Sequence, residues 1–251
     1  MSARQDLMKR AASSFQRAGD DFLREAADCF LQADEHAAAG WALKRAATIG
    51  GGLDNSLTRQ AASAFERAER WSDAANCHEL IGDALEAARC WKAGGDSARA
   101  AWAYADSVED PGASRRCLDE AVAAGAGQNE APRNLSASAP TEFLVIARDI
   151  VEARLEIRLA PRTSGKRLKA AVRGMVGYKE RDSWRLNDAR RWAGIVAKRL
   201  DRPDLAALVA ATERSLEHSF IGPALGIDGA DDDLEKAQEV VLTPGGLGDE
   251  Q

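Results

Sequence analysis

Ala61-Ala62-Ser63-Ala64-Phe65, Ala74-Ala75-Asn76-Cys77-His78, Ala87-Ala88-Arg89-Cys90-Trp91 and Ala100-Ala101-Trp102-Ala103-Tyr104 are four copies of one pattern, recurring every 13 residues. Each is a pair of alanines with a large ring at the fifth position, the ring being a histidine in the second copy. Earlier copies begin at Ala11, Ala26 and Ala37 at less regular intervals and put Phe15, Phe30 and Trp41 in the ring slot. This is an internal repeat, and its period decides the architecture. Thirteen residues hold about ten residues of helix, roughly 15 Å long, plus a tight turn. The alanine pair and the ring share a helix face, because residues four apart are neighbours there. Small residues admit an adjoining helix and the ring fills the gap between two helices, so the slot reads as core packing.

The turns are written in the sequence as well. Gly19-Asp20, Gly82-Asp83 and Gly95-Asp96 place glycine where a helix ends in the left-handed conformation and aspartate where the next helix needs an N-cap. Two such units make a helical hairpin of about 26 residues. Helices this short are marginal alone and gain stability by packing an apolar face, so the expected arrangement is a stack of hairpins, an α-solenoid.

The runs Ala61-Ala62-Ser63-Ala64-Phe65-Glu66-Arg67-Ala68, Asp73-Ala74-Ala75-Asn76-Cys77 and Gly82-Asp83-Ala84-Leu85-Glu86-Ala87-Ala88-Arg89-Cys90-Trp91 resemble tetratricopeptide-type repeats. They are most similar to the compact variety in the soluble NSF-attachment-protein group. The resemblance spans about the first half of the chain. It implies a helical-hairpin solenoid and a general role in protein binding, and assigns no partner and no site residue.

Composition agrees with an all-α fold. Alanine, arginine, glutamate and leucine dominate the 251 residues, and β-branched residues are sparse. No apolar stretch approaches the roughly 20 residues that cross a bilayer, and Met1-Ser2-Ala3-Arg4-Gln5-Asp6 lacks the apolar segment of a secretory signal. The expectations are no membrane insertion and a cytoplasmic location. Among the cysteines Cys29, Cys77, Cys90 and Cys117 there is no Cys-x-x-Cys pair, and His36, His78 and His218 show no ligand spacing among themselves. Cys29, Cys77 and Cys90 occupy the position before the ring slot, where small buried residues belong. No metal site and no cofactor are expected.

The repeat fades near Asp110-Pro111-Gly112, with a degenerate copy at Ala113 to Cys117. The reading divides the chain into a repeat domain at 1–124, a linker at 125–140, a C-terminal helical domain at 141–222 and an acidic segment with a tail at 223–251. Thr141 and Ser183 are candidate N-caps, and Pro203 suits a first helical turn. Helices are expected at about 141–160, 165–178, 183–200 and 203–220, forming a small bundle that is either separate or docked on the end of the array.

Charge is uneven. From Arg158 to Arg202 there are 14 Lys or Arg and four acidic residues, a segment of +10 in a chain of −6, which leaves −16 elsewhere. Tyr178, Trp184 and Trp192 are interleaved with it. Three accounts stand: a solvated face balanced by the acidic array or tail, a surface for an acidic protein, or a site for nucleic acid or another polyphosphate. The candidate contacts are Lys166, Arg167, Lys169, Arg173, Arg185, Arg190 and Arg191.

No phosphate loop, dinucleotide fingerprint, His-Glu-x-x-His or nucleophile elbow is present. Arg185, Asp188, Arg190 and Arg191 beside Trp184 read as a salt-bridged helix face, so no catalytic residue is assigned. The expected function is a non-enzymatic adaptor or scaffold subunit binding another protein through the repeat groove. The alternative is a nucleic-acid or polyphosphate-binding protein using the helices at 158–202. An uncapped array end exposes apolar surface, which leaves both monomer and homodimer open.

Overall fold

The computed structural model describes residues 3–19, 22–49, 51–126, 140–178 and 184–217, and the regular structure there is all helical. The elements are α1 (Ala3–Ala18), α2 (Leu23–Gln32), α3 (His36–Ala46), α4 (Asn55–Arg67), α5 (Trp71–Leu80), α6 (Ala84–Ala93) and α7 (Ser97–Ala103). A π-helical turn at Tyr104–Val108 follows, then α8 (Pro111–Ala126), α9 (Thr141–Glu156), α10 (Pro161–Gly177), α11 (Trp184–Arg199) and α12 (Pro203–Glu217). Asp20, Ser183, most of the expected linker and the acidic tail lie outside the described residues. No described helix is long and apolar enough to cross a membrane.

The ring slot sets the helix stop. The carbonyls of Phe30, Phe65, His78 and Trp91 accept the N–H of Glu35, Arg70, Asp83 and Asp96, five residues on, at 2.8–2.9 Å. The residue between, four after the slot, is left-handed: Asp34 (φ 64°), Glu69 (φ 55°), Gly82 (φ 76°) and Gly95 (φ 79°). This is the Schellman termination, which satisfies carbonyls that the helix end would orphan. Because each slot stops its helix at the same offset, α5, α6 and α7 begin at Trp71, Ala84 and Ser97, thirteen residues apart.

Capping is less regular than stopping. Asp96 accepts the N–H of Arg99 at 3.1 Å, as expected, whereas Asp83 makes no side-chain cap bond. Asp54, which the turn pattern did not single out, caps α4 through Ser56 and Leu57. Thr141 is the first residue of α9 and Pro140 takes the cap position, so the expected Thr141 cap is displaced by one residue. Pro203 opens α12 as expected.

The third copy of the pattern needs a correction. In α3 the buried residues are Ala39, Gly40, Ala42, Leu43 and Ala46, and Trp41 is 45% exposed. Ala39 and Leu43 lie thirteen residues after Ala26 and Phe30, so the copy begins at Ala39 and its slot holds Leu43. Gly40 sits where a Cβ would come within 2.7 Å of the Phe65 ring. That is the small residue and ring packing expected of the repeat, realised across α3 and α4. Elsewhere the slot residues Phe30, Phe65, His78 and Trp91 are buried.

From α1 to α8 each helix packs on the next in chain order. Helices α9 to α12 pack among themselves, and α9 also packs on α7, the π turn and α8. The C-terminal helices are therefore docked, and the joint is specific. Trp102 of α7 stacks on Trp192 of α11 at 5.4 Å between ring centroids. Arg99 of α7 lies between the rings of Trp91 (4.5 Å) and Trp184 (4.4 Å) and donates from Nε to Asp188 at 2.6 Å. Asp106 in the π turn receives Arg154 of α9 and Arg199 of α11, each at 2.6 Å. Arg115 of α8 forks onto both oxygens of Glu152 in α9.

Candidate functional site

The register of α3 creates the first feature of interest. With Leu43 in the core, Trp41 turns outward and forms one wall of an open groove of about 550 Å³, lined by Leu23, Trp41, Ala42, Lys44, Arg45 and Thr48. Leu23 comes from the start of α2, and the rest from α3 and the turn after it. The Trp41 and Phe65 rings meet edge to face at 5.2 Å between centroids. Lys44 Nζ lies 5.2 Å from the ring centroid. The site thus joins an apolar floor to two cationic side chains. A half-exposed tryptophan in a cleft is the residue type that anchors protein interfaces.

The expected basic contacts fare differently from one another. Arg190 is buried, donating to the hydroxyl and carbonyl of Thr212 and to Asn187, and so leaves the set of candidate contacts. Its guanidinium holds α11 to α12. Arg167 pairs with Glu156 at 3.0 Å and lies 3.9 Å from Asp149. Arg191 pairs with Asp188, and Arg185 lies over the Trp184 ring at 4.8 Å. Lys166 and Arg173 are exposed on α10, and Lys169 is partly so. Elsewhere in the basic segment Arg158 meets Glu109, Arg199 meets Asp106 and Arg202 meets Asp204. Arg158, Arg167 and Arg199, three of the segment's 14 basic residues, are thus met by carboxylates of the repeat half and of α9.

The second feature lies inside the array. Glu66 of α4, His78 of α5 and Cys90 of α6 bring three ligand-type atoms within 4.8 Å of one another. His78 Nε2 is 2.8 Å from Glu66 Oε1, and the Cys90 thiol donates to the same oxygen at 3.6 Å. On the other edge of the imidazole, Nδ1 is buried without a hydrogen bond, 3.8 Å from Asp83 Oδ2. Burial, and then the neighbouring Glu66 carboxylate, push the Cys90 thiol up to about 12. Cys77 and Cys117 are also raised, chiefly by burial. A thiol so held is protonated near neutral pH and is a poor nucleophile. Reading by metal-ligand spacing within one segment did not find this trio, because its members are twelve residues apart on three helices. The signal that finds them is the repeat itself, since twelve is one less than the period.

No family model, curated protein or solved structure matches the chain.

Proposed function

We propose that the protein is a non-enzymatic adaptor. In this reading α1 to α8 form a repeat solenoid, and the groove beside Trp41 receives an apolar side chain of a partner protein from a segment that also carries acidic residues. The docked helices α9 to α12 cap the array and supply its attachment to a larger assembly. The observation that carries the reading is the groove: Trp41, which the register of α3 leaves outside the repeat slot, faces outward, packed on Phe65 and flanked by Lys44 and Arg45. Charge complementarity selects the acidic partner and speeds encounter, while the indole supplies most of the affinity.

Selection of random peptides on the full chain tests this directly. The expected winners carry a large apolar residue next to aspartate or glutamate, weaken at raised salt, and lose at least tenfold in affinity to Trp41→Ala and to Lys44→Glu. Winners that bind the Trp41→Ala chain as well as the parent, or no enrichment at all, would overturn it.

A further inference from the structure

We propose that Glu66, His78 and Cys90 form a binding site for a divalent cation of the zinc class, with one ligand from each of three successive helices. The donor set is a carboxylate oxygen, an imidazole nitrogen and a sulfur, the mixture that a borderline-soft cation accepts. With bond lengths of about 2.1 Å to nitrogen and oxygen and 2.3 Å to sulfur, tetrahedral ligation sets N to O near ~3.4 Å and S to O near ~3.6 Å. The observed separations are 2.8 Å for His78 to Glu66 and 3.6 Å for Cys90 to Glu66. Sulfur and oxygen already stand at the required distance, and the imidazole must retreat by about 0.6 Å.

The orphaned Nδ1 of His78 gives an independent reason. If Nε2 carries the ring proton and donates to Glu66, Nδ1 is a buried acceptor with nothing to accept. If Nδ1 carries it, Nε2 and the carboxylate oppose each other as two acceptors at 2.8 Å, and if both nitrogens carry one, Nδ1–H is a buried donor without a hydrogen bond. A cation between Nε2 and Glu66 removes the opposition of two acceptors and leaves the ring proton on Nδ1, 3.8 Å from Asp83 Oδ2. A retreat of the imidazole toward Asp83 would bring these into hydrogen-bond reach and complete the carboxylate, histidine and metal series that orients a ligating imidazole. On binding, the Cys90 proton is released and the thiolate takes its place as ligand. His78 and Cys90 are buried, while Glu66 is partly exposed and offers the route of entry. The cation would clip α4, α5 and α6 together.

Cobalt is the probe that reports geometry and sulfur ligation in one spectrum. Full-length protein stripped with chelator and titrated with Co²⁺ is expected to bind one equivalent, with tetrahedral d–d bands and a thiolate-to-cobalt charge-transfer band, both abolished by added Zn²⁺. Cys90→Ser should remove the charge-transfer band, while Cys77→Ser and Cys117→Ser retain it. Glu66→Gln, at a partly exposed position, should weaken binding at least tenfold, and Asp83→Asn, one shell out, by about 10- to 100-fold. Zinc at a hundred times its Kd should raise Tm by roughly 5–10 °C. Circular dichroism of each variant separates loss of the site from loss of the fold. A chain that takes up no cobalt, or a charge-transfer band that survives Cys90→Ser, would show that the trio is a hydrogen-bonded core cluster.

Discussion

Replacing Arg99 with alanine empties the joint between the two halves of the molecule. Its guanidinium makes a 2.6 Å bond to Asp188 and faces two indole rings at 4.4–4.5 Å, with a quarter of the side chain exposed. Breaking a fully buried ion pair costs about 3–5 kcal/mol, and a solvent-exposed pair is worth ~0–1 kcal/mol. A site three-quarters buried falls at about 3 kcal/mol on that scale, reduced to about 2 because Arg191 also reaches Asp188 at 3.5 Å. Each ring contact adds about 0.5–1 kcal/mol. The expected loss is therefore about 3 kcal/mol, or roughly 6–12 °C in Tm for a chain of this size. Urea unfolding followed by tryptophan fluorescence reads it directly, because Trp91 and Trp184 report from the joint itself. Arg99→Lys keeps the charge and gives up the planar stack, so it should recover about half of the loss. A double-mutant cycle with Asp188→Ala should return a coupling of about 1 kcal/mol or more. An Arg99→Ala chain within about 0.5 kcal/mol of the parent, the usual range for a surface change, would refute the idea that this arginine holds the halves together.

Two further outcomes follow from the geometry. Gly40→Ala drives a methyl to 2.7 Å from the Phe65 ring and should cost about 1–3 kcal/mol in chemical denaturation, whereas Gly194→Ala, where a Cβ meets nothing within 4 Å, should cost none. Glu152 is held below the usual carboxylate range, first by its bonds from Arg115. Its folded pKa is depressed, so its stabilisation is complete above the unfolded carboxylate value of about 4.3 and is lost as pH falls through the lower folded value. Unfolding midpoints between pH 6 and 3 should accordingly fall less steeply for Glu152→Gln than for the parent.

Much of the repeat half was legible because one residue column does two jobs. Phe65, His78 and Trp91 fill the core and terminate their helices, and the turns Gly82-Asp83 and Gly95-Asp96 marked where α6 and α7 begin. Trp41 was misread for a local reason: Ala37-Ala38 mimics the alanine pair two residues early, and only counting thirteen from Phe30 selects Leu43. The C-terminal helices were read to within a few residues at their described ends from apolar periodicity and Pro203. Their mode of docking was not, since the bonds that fix it, such as Arg154 with Asp106, join residues far apart in the chain whose charges look alike on any exposed helix. The same holds for Glu66, His78 and Cys90, each an ordinary residue in its own helix.

The π turn at Tyr104–Val108 is one residue longer than the stop used after Phe30, Phe65, His78 and Trp91: the left-handed residue after the Tyr104 slot is Glu109, five positions on, where theirs comes after four. That added residue closes the thirteen-residue frame and aims Asp106 at Arg154 and Arg199. Two arginines from different C-terminal helices thus share one carboxylate carried by one irregular turn. Deleting a single residue from that turn should swing Asp106 away from both at once and loosen α9 and α11 together, an outcome that no single side-chain change in either helix would produce.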